Sequence, residues 1–532
     1  MAYDLKNQLK TSAAAVALVS GLMFPVAGAA DQISLKSTDG TIDLVGEFVE
    51  FANDTYIIRT SLGDLRISAR SVICEGAACP TFDDVTADVA IVGADSVGLG
   101  MMPLLMTGFA ASLDAEAEIT NPSAGESLAT LIDDGGFGDE IGTFLVSSTN
   151  DNNAFESLLD RSAMIGMTSR RITQDEARAL RADGAGSMVS PEQERIIAVD
   201  SMVVATHASN PVQTLTQAQL QGIFSGQITN WSQVGGPNKR ITVIAQDEDS
   251  AGHDYFMSYL FGEERPNFRP QAISPDDQTV SNVLFHDTNA IGYLGYAFQR
   301  GAKPVTLVNE CGIANTPDAF SAKTEEYELG RRMYLYNRAD NLDEKAQQFL
   351  DFAISSEADS VIGKSGFIDL GILRRSQAEG DARRAALTNE MTRYDIGFEG
   401  EVIGDMLEQM DNYDRLSTTF RFRTGSSRID ERGRLDMERL IDYLEDAPAG
   451  TELTFVGFTD DVGAFEGNRQ LAMQRAEAVL EEVRAVAGDR LNNVTMSTTG
   501  FGEIAPSACN VTERGRAINR RVEVWVSKTQ ES

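Results

Sequence analysis

The sequence predicts a multidomain chain of mixed α/β and α+β class, and three observations lead to this prediction. Its 532 residues are too many for a single hydrophobic core, so several domains are expected. Short strands separated by turn residues follow the N-terminal segment, and apolar strand-like runs alternate with helical periods after residue 85. The last part has the order βαβαββ, which is enough for one compact α/β sandwich. The predicted segments are a leader (1–29), a small β module (30–80), a large α/β region (81–372), a helical connector (373–412) and a C-terminal domain (413–528).

The first 29 residues have the pattern of a cleaved signal peptide. Lys6 and Lys10 precede the apolar run 13–24, and Ala27 and Ala29 give the A-x-A spacing that a signal peptidase accepts. The apolar run is too short to cross about 30 Å of hydrocarbon, which argues against a membrane anchor. We therefore expect export to the periplasm, with no transmembrane segment in the mature chain.

The small β module is predicted from three strands, 42–51, 55–60 and 65–68, whose spacers are turn-forming residues. The chain is expected to be exported, and disulfides persist in the periplasm. Cys74 and Cys79 lie close together, so a disulfide between them is predicted. Cys311 and Cys509 fall in different predicted domains, which makes a bond between them the less favoured alternative, and their pairing is left open. The cysteines and three histidines form no recognisable ligand set, so no metal or cofactor is expected.

The formal net charge of −35 argues against nucleic acid as a partner, because such a field repels polyanions. No arrangement of nucleophile and base stands out in the sequence. The histidines are His207, His253 and His286. His253 follows Ser250 closely, but a serine–histidine pair must meet in space and adjacency alone does not establish one. We therefore predict that the protein is not an enzyme.

Four motifs stand in one order in the C-terminal domain: Phe420–Ser426, Gly457–Gly463, Asn468–Ala476 and Gly515–Glu523. They resemble the OmpA-like peptidoglycan-binding domain. The family's usual histidine before its threonine–aspartate pair is Phe458 here, and its usual serine in the following helix is Ala472. Neither change removes a charge that the site needs. The resemblance implies non-covalent attachment to peptidoglycan and a periplasmic location, and proximity to the outer membrane stays open.

The resemblance also assigns the charges of the peptidoglycan site. Diaminopimelate in the peptide stem carries an ammonium and a carboxylate on one carbon, so its recognition requires a fixed anion beside a fixed cation. Asp460 is assigned to the ammonium and Arg475 to the carboxylate, which the planar fork of arginine suits. Thr459, Asn519 and Arg520 are expected to complete and shape the site. On spacing alone, a helix cap at Asp460 and a surface ion pair at Arg475 are the plain alternative.

The α/β region from about residue 85 to 370 resembles the periplasmic phosphate-binding protein family, whose members serve ABC transporters. The resemblance is carried by Ala198–Ala205, Leu220–Gly236, Ala290–Tyr293 and Tyr327–Tyr336. It implies the type 2 periplasmic-binding fold, with two α/β lobes and a ligand cleft between them. It also implies an ABC transporter membrane component as a partner.

The family's anion-binding loops correspond to four short segments of this chain. The candidate ligand-binding residues are Asp95, Ser96, Ser148, Thr149, Ser169, Arg170, Gln246 and Ser250. The fourth loop departs from the family pattern, because Gln246 replaces its arginine and Ala251 and Gly252 replace a glycine and a threonine. Met164 stands where an acidic residue is usual. Arg170 is the candidate substitute cation, and Glu248 and Asp249 add negative charge beside the loop.

These departures weaken the expectation of tight phosphate binding. A charge-assisted hydrogen bond to a buried anion is worth roughly 1.5–3 kcal/mol, and a neutral amide gives about half of that. The predicted function is a solute-binding protein, for phosphate or a similar small anion or another polar solute, held on the cell wall. The alternative is a wall-anchored scaffold whose solute-binding fold no longer binds phosphate. A helical connector would rise about 1.5 Å per residue and give a reach of roughly 60 Å toward a transporter.

Overall fold

The structure of the chain is a computed structural model. It describes residues 32–37, 43–52, 55–60, 63–69, 72–76, 78–80, 85–123, 125–133, 138–247, 250–266, 270–274, 276–377, 382–392, 397–422, 429 and 433–528. The predicted signal peptide lies outside these residues, as do Glu248 and Asp249 of the fourth anion loop. The chain forms two compact units, Met1–Thr81 and Phe82–Ser532, and each is described by itself.

The first unit contains one antiparallel sheet, as the sequence predicts. Its strands are β1 (Gln32–Ser37), β2 (Asp43–Ala52), β3 (Thr55–Thr60), β4 (Gly63–Ser68) and β5 (Val72–Glu75), in the spatial order β4-β3-β2-β1-β5. Alternate residues point to one face of such a sheet, and Ile33, Leu35 and Ile58 are buried there. Cys74 and Cys79 form a disulfide with a Cα–Cα distance of 5.9 Å. The prediction of this bond is confirmed.

The second unit begins with the large α/β region. Its strands are β6 (Val89–Ala94), β7 (Ala115–Thr120), β8 (Glu126–Asp133), β9 (Glu140–Thr149), β10 (Ile165–Thr168), β11 (Glu194–Thr206), β12 (Thr214–Thr216), β13 (Thr242–Gln246), β14 (Ala272–Ser274), β15 (Ala290–Gly295), β16 (Lys303–Pro304), β17 (Thr306–Val308), β18 (Ala314–Asn315) and β19 (Gly330–Asn337). Its helices are α1 (Asp95–Gly98), α2 (Met102–Ser112), α3 (Asp151–Asp160), α4 (Gln174–Ala182), α5 (Gln217–Phe224), α6 (Ala251–Phe261), α7 (Asp277–His286), α8 (Ala319–Lys323), α9 (Glu344–Ala353) and α10 (Ser356–Lys364). Local signals fit these bounds, because Thr173 and Glu176 form a capping box at the start of α4.

The long strand β11 joins two lobes in this region. Its first half pairs with β19, which in turn pairs with β10 of the first lobe. Its second half, Met202–Thr206, pairs with β15 of the second lobe. Parallel pairs β6–β10 and β6–β9 continue the sheet in the first lobe, and β13–β15 does so in the second. Strands β11 and β19 therefore link the two lobes.

Each lobe has its own hydrophobic core. In the first lobe, Phe109 meets Phe144 and Phe349 edge-on, with ring centroids 5.7 and 5.5 Å apart. In the second lobe, Phe256 stacks on Tyr293 at 4.0 Å. Edge-on and stacked arrangements of this kind add to the stabilisation that comes from burying the ring area. The prediction of two α/β lobes is confirmed.

The C-terminal domain is an α/β sandwich that keeps the predicted βαβαββ order, with one additional helix before the last strand, and the preceding connector segment adds β20, α11 and α12. Its elements are β20 (Arg374–Arg375), α11 (Ala382–Met391), α12 (Gly397–Asn412), β21 (Tyr413–Arg421), α13 (Gly433–Glu445), β22 (Thr451–Phe458), α14 (Phe465–Ala487), β23 (Val494–Gly502), α15 (Glu513–Asn519) and β24 (Arg521–Ser527). The sheet order is β20-β21-β24-β22-β23. The unpredicted helix α15 is short and polar, so its apolar periodicity is too weak to mark it in the sequence.

The predicted connector does not span a distance; it folds back onto the C-terminal sheet. Helices α11 and α12 bury Leu387, Val402 and Met406 against Phe458 and Trp525. The other face of the sheet is covered by α13 and α14. The expected reach of roughly 60 Å is therefore wrong, because the apolar stripes of these helices are used to cover the sheet.

Cys311 and Cys509 form a disulfide, which the sequence interpretation ranked as the less favoured outcome. Their Cα atoms lie 5.4 Å apart, within the usual range for a disulfide. The bond joins the second lobe to the loop before α15. The interpretation was wrong because it treated the two domains as separate bodies, whereas within this unit they are in direct contact.

Buried ion pairs connect the same two parts of the chain. Arg415 of β21 contacts Glu326, which follows α8, at 2.9 Å and Glu523 of β24 at 3.1 Å. Ser507 Oγ donates to Glu326 Oε1 at 2.6 Å. Arg383 Nη1 donates to Glu523 Oε2 at 2.9 Å. Burial opposes ionisation of Glu326, but Arg415 and Arg521 outweigh it and lower its pKa to about 2.

The C-terminal domain contacts both lobes of the α/β region. Arg514 of α15 donates to Tyr255 Oη of the second lobe at 2.9 Å. Arg439 of α13 contacts Asp359 of the first lobe at 2.6 Å and donates to Ile354 O at 2.8 Å. The C-terminal domain is thus attached to the whole two-lobed region.

Removal of one partner from the buried ion pairs should be costly. We expect Arg415→Ala to lower the free energy of unfolding by roughly 3–5 kcal/mol, because Glu326 and Glu523 would stay buried without their shared cation. Urea unfolding followed by tryptophan fluorescence at neutral pH measures this change.

The matched control is Arg490→Ala, since Arg490 contacts Asp442 and Glu445 on the surface. Exposed pairs contribute about 0–1 kcal/mol, so the control should unfold almost like wild type. In wild type, the contribution of Glu326 is present above its ordinary pKa of 4.5 and declines as the pH falls toward 2. Equal stability of the Arg415 and Arg490 variants would contradict the assigned role of Arg415.

Candidate functional site

Asp460 lies just after β22, where its carboxylate is fixed on both oxygens. Arg520 Nη1 donates to Asp460 Oδ2 at 2.8 Å, and the backbone N–H of Val462 donates to Oδ1 at 3.3 Å. Arg520 is itself held, because Nη2 donates to Glu513 Oε1 at 3.0 Å and Nε to Phe422 O at 3.3 Å. A fixed anion therefore stands at this loop mouth with a cation already beside it.

Arg475 is the second charge of this site, and it points from the middle of α14. Its side chain is almost fully buried, and its guanidinium lies 5.3 Å from the ring centre of Phe422. Burial lowers the pKa of Arg475 to about 10, while the Asp460 carboxylate opposes that shift. Arg475 remains charged at neutral pH. The alternative of a surface ion pair does not fit a residue at this depth.

Thr459 and Asn519 hold the loops around the two charges. Thr459 N–H donates to Gly502 O at 2.8 Å, which fixes the end of β22 to β23. Asn519 Oδ1 accepts from the backbone N–H of Ser507 and of Ala508, at 2.8 and 3.1 Å. The expected shaping role of Asn519 agrees with these contacts. The described structure thus brings Asp460, Arg475, Thr459, Asn519 and Arg520 to one end of the C-terminal sheet.

The cleft residues of the first lobe lie at the carboxyl ends of β6, β9 and β10. Ser96 N–H donates to Asp95 Oδ1 at 2.6 Å. Thr149 Oγ1 donates to Gly93 O at 3.3 Å. Ser148 is buried beside α1, and a Cβ at Gly98 would lie only 2.1 Å from Ser148 Oγ. Gly98 is therefore required for this approach of α1 to β9.

Ser169 makes its hydrogen bonds to a carboxylate of the protein. Its N–H donates to Asp151 Oδ1 at 2.5 Å and its hydroxyl donates to Oδ2 at 3.0 Å. Asp151 is buried in the first turn of α3, and burial raises its pKa although the Ser169 hydrogen bonds oppose this. Helix N-termini favour anions, and at the start of α3 the Asp151 carboxylate has that position.

Arg170 lies beside the cleft and contacts other residues of the first lobe. Its Nη2 and Nη1 contact Glu176 at 2.7 and 3.0 Å, and Nη2 also donates to Asn152 Oδ1. The guanidinium stands over the ring of Phe155 at 5.1 Å. The bidentate pair with Glu176 already neutralises the charge that the sequence interpretation assigned to a ligand.

Gln246 and Ser250 of the second lobe belong to one hydrogen-bond group. Ser250 caps α6 by accepting from His253 N–H, and its hydroxyl donates to Gln246 Oε1 at 3.1 Å. Gln246 Nε2 donates to Asp277 Oδ1, which also accepts from Gly295 N–H at 3.1 Å. Burial, with Asp200 and Asp95 adding to it, raises the pKa of Asp277 to about 7 against the opposing charge of Arg331.

Arg331 is a buried cation of the cleft that the sequence did not reveal. It lies on β19 and pairs with Asp200 of β11 at 2.7 and 2.8 Å. A Cβ at Gly295 would lie 3.0 Å from Asp200 Oδ2, 3.2 Å from Arg331 Nη2 and 3.3 Å from Asp277 Oδ2. These three charged groups therefore converge on the glycine at the end of β15, where the crossing strands meet.

A cavity of about 720 Å³ lies apart from both groups of residues. It is bounded by the second lobe, by α11 and α12, and by the loop after β23. Arg383, Arg415 and Glu326 of the buried ion pairs line it.

Among the described residues, no helix combines the length and apolar character required to cross a bilayer.

Comparison with known proteins identifies both parts of the second unit. Residues 89–357, just over half of the chain, match the family model described as a PBP superfamily domain. The chain belongs to the PBP superfamily. Residues 421–520 match the OmpA family, so a PBP domain and an OmpA-family domain are fused in one chain.

Individual relatives divide between these two domains. The phosphate-binding protein PstS of Pseudomonas aeruginosa is 27% identical over 245 residues, which cover 42% of this chain and 73% of that protein. Outer membrane porin F of the same species is 38% identical over 115 residues, covering 21% of this chain and 31% of the porin. A solved putative phosphate ABC transporter substrate-binding protein with bound phosphate from Clostridium perfringens is 22% identical, with a TM-score of 0.39, covering 53% of this chain and 98% of that one.

Four residues of the PBP cleft were missed at the level of sequence: Asp151, Asp200, Asp277 and Arg331. Asp200 and Arg331 lie in stretches that carry the family resemblance, but those stretches marked the fold and not a ligand site. Asp151 and Asp277 start helices, where acidic residues are ordinary. Asp200 and Arg331 lie on strands that are far apart in the chain and adjacent only in the sheet. Asp200 and Arg331 come together because β11 pairs with β19.

The raised pKa of Asp277 predicts a pH dependence of stability in the PBP domain. A carboxyl whose folded pKa is about 7 instead of 3.8 favours the folded state below the lower value, and this advantage disappears as the pH rises to 7. Wild type should therefore lose stability between about pH 4 and 7 relative to Asp277→Asn, which keeps the acceptor oxygen.

Thermal unfolding of both proteins across this pH range measures the effect, and the difference should be greatest above pH 7. Asp343→Asn, at the exposed cap of α9, is the control for loss of one carboxylate. A pH-independent difference between Asp277→Asn and wild type would contradict the raised pKa.

Proposed function

We propose that the protein is a periplasmic solute-binding protein of the PBP superfamily that is held on the cell wall by its OmpA-family domain. The observation that carries this proposal is the presence of a fixed anion, Asp460, and a buried cation, Arg475, at the same end of the C-terminal sheet. The fused PBP domain supplies a two-lobed cleft for the solute. The relatives' names support the receptor role, and the predicted leader supports export.

The charges at the C-terminal site fit one amino-acid head of diaminopimelate. Its ammonium would take the place that Arg520 now has at Asp460, and its carboxylate would pair with Arg475. Arg475 is an effective partner because it lies in a region of low dielectric, where an ion pair is stronger than in water. Arg520 keeps Glu513 as a partner when it moves, so the exchange leaves no buried cation unpaired.

The wall-binding proposal is tested by sedimentation of the full-length protein with purified peptidoglycan. We expect Asp460→Asn and Arg475→Lys to lower binding at least tenfold, because each removes a charge-assisted or bidentate contact. Thermal unfolding of each variant checks that the fold is kept.

Arg490→Ala is the matched control, since it removes an arginine from the same domain far from the site's contacts. It should sediment like wild type. Sedimentation of both site variants at the wild-type level would rule out this site for the wall.

The charges of the cleft favour a small solute other than tightly bound orthophosphate. The donors of Ser169 serve Asp151, Arg170 serves Glu176, and Arg331 serves Asp200. A phosphate dianion would have to compete with the protein's own carboxylates for these groups. We therefore propose that phosphate binds weakly, and that an ABC transporter membrane component is the partner for whichever small solute fits.

Calorimetric titration of the full-length protein with inorganic phosphate in phosphate-free buffer tests this charge argument. We expect no binding tighter than about millimolar in wild type at pH 8. Asp151→Asn should bind phosphate about tenfold more tightly, because one buried competing carboxylate is gone. Asp160→Asn, an exposed carboxylate at the other end of α3, is the control.

Micromolar binding by wild type would contradict the charge argument and would make phosphate itself the solute. The scaffold alternative also draws support from these internally satisfied donors. No heat with phosphate from Asp151→Asn would remove the competing carboxylate as the reason for weak phosphate binding.

A further inference from the structure

The C-terminal domain touches both lobes of the PBP domain, and those lobes are linked to each other by β11 and β19. Two bodies that are linked by strands can rotate about them unless another contact holds them. The C-terminal domain is in a position to supply such a contact. Its attachments to the two lobes differ in kind, and this difference determines which of them can give way.

The attachment to the second lobe is covalent as well as ionic. The disulfide between Cys311 and Cys509 joins that lobe to the loop before α15. Arg415 of β21 contacts Glu326 at 2.9 Å, and Arg514 of α15 donates to a tyrosine hydroxyl of the same lobe at 2.9 Å. These contacts start from three different elements of the C-terminal domain. The domain and the second lobe are therefore expected to move as one body.

The attachment of α13 to the first lobe depends on Arg439. Its Nη1 donates to Asp359 Oδ2 of α10 at 2.6 Å, and its Nη2 donates to Ile354 O at 2.8 Å. Asp359 is held in turn, because the N–H of Leu370 donates to its Oδ1 at 3.2 Å. The side chains of Arg439 and Asp359 are only 11% and 18% exposed. An ion pair at this depth is stronger than one in water, and its separation leaves two poorly solvated charges.

The second lobe reaches the same junction through the end of α8. Lys323 Nζ donates to Asp369 Oδ1, at the end of the first lobe, at 2.8 Å. Lys323 and Arg439 line one small cavity of about 30 Å³ together with Val199 of the linking strand β11. The first lobe, the second lobe and the C-terminal domain therefore meet at one place. A rotation of the first lobe changes the distance between Arg439 and Asp359.

We propose that Arg439 is a latch that holds the first lobe at a fixed angle to the second lobe. Because the C-terminal domain moves with the second lobe, rotation of the first lobe must carry Asp359 and Ile354 away from Arg439. The latch concerns the angle between the lobes, so it does not rest on which solute or wall polymer the protein binds. Its consequence is a narrow range of cleft openings. A solute that requires another angle must first break the pair, which lowers its apparent affinity.

The distance between the lobes can be measured by double electron–electron resonance in the full-length protein without a ligand. Spin labels are attached at Asp175→Cys on α4 of the first lobe and at Lys239→Cys in the second lobe, because both positions are exposed. The four native cysteines form the two disulfides and take no label. We expect one narrow distance distribution. Arg439→Ala and Asp359→Asn should each broaden or shift it by more than about 2 Å, the size of a lobe rearrangement.

Arg490→Ala is the matched control, since Arg490 contacts Asp442 and Glu445 of the same helix α13 at the surface. It should keep the narrow distribution. The two latch variants remove the ion pair from opposite sides, and thermal unfolding of each checks that the fold is kept. Asp359→Asn retains an oxygen that can accept from Leu370 N–H, so it removes the charge with little change to the first lobe.

Each outcome decides the matter. Distributions of both latch variants that match wild type would overturn the latch. A wild-type distribution as broad as those of the variants would also overturn it, since the lobes would then rotate with the pair in place. Equal broadening in Arg490→Ala would overturn it as well, because general loosening of α13 would then be the cause.

Discussion

The buried charges at Glu326, Arg415 and Glu523 determine how the second unit is arranged. Moving a carboxylate out of water costs several kcal/mol, and that cost is offset only when a cation and hydrogen bonds are supplied in the same place. Glu523 lies inside the C-terminal domain, whereas Glu326 belongs to the second lobe. Arg415 serves both carboxylates at once. The C-terminal domain therefore cannot detach from the lobe without separating Glu326 from the cation that neutralises it.

This constraint links the two candidate sites mechanically. The C-terminal domain contacts the second lobe through Arg514 and Tyr255 and the first lobe through Arg439 and Asp359. Helix α15 lies between the two candidate sites, because Arg514 contacts the second lobe while Glu513 holds Arg520 beside Asp460. A change in the angle between the lobes must be accommodated at one of these contacts.

Sequence patterns predicted those parts of the molecule that depend on local order. Alternation of strands and helices predicted the α/β architecture and the sheet of the C-terminal domain. The family resemblances, read from ordered motifs, implied the two lobes and the roles of Asp460 and Arg475. The short separation of Cys74 and Cys79 gave their bond. Each of these signals lies within one short segment of the chain, so it can be read without knowing which segments meet.

The parts that could not be predicted depend on packing between distant segments. Helices α11 and α12 have weak apolar stripes, and only their contact with Phe458 and Trp525 explains them. Arg331 and Asp200 meet because β11 and β19 pair, and no spacing in the sequence records that. The binding properties of the cleft also depend on which hydrogen-bond donors are already bound to the protein's own carboxylates. Residue types alone gave candidate ligands there, while the partners of those residues decide what the cleft can bind.

The disulfide between Cys311 and Cys509, which are 198 positions apart, closes a covalent ring. A single proteolytic cut within that ring opens the chain but does not divide it, because the two ends stay joined through sulfur. In an oxidising compartment, a nicked molecule would therefore keep its PBP domain and its OmpA-family domain together. Only a cut outside the ring, or reduction after a cut inside it, releases one part from the other.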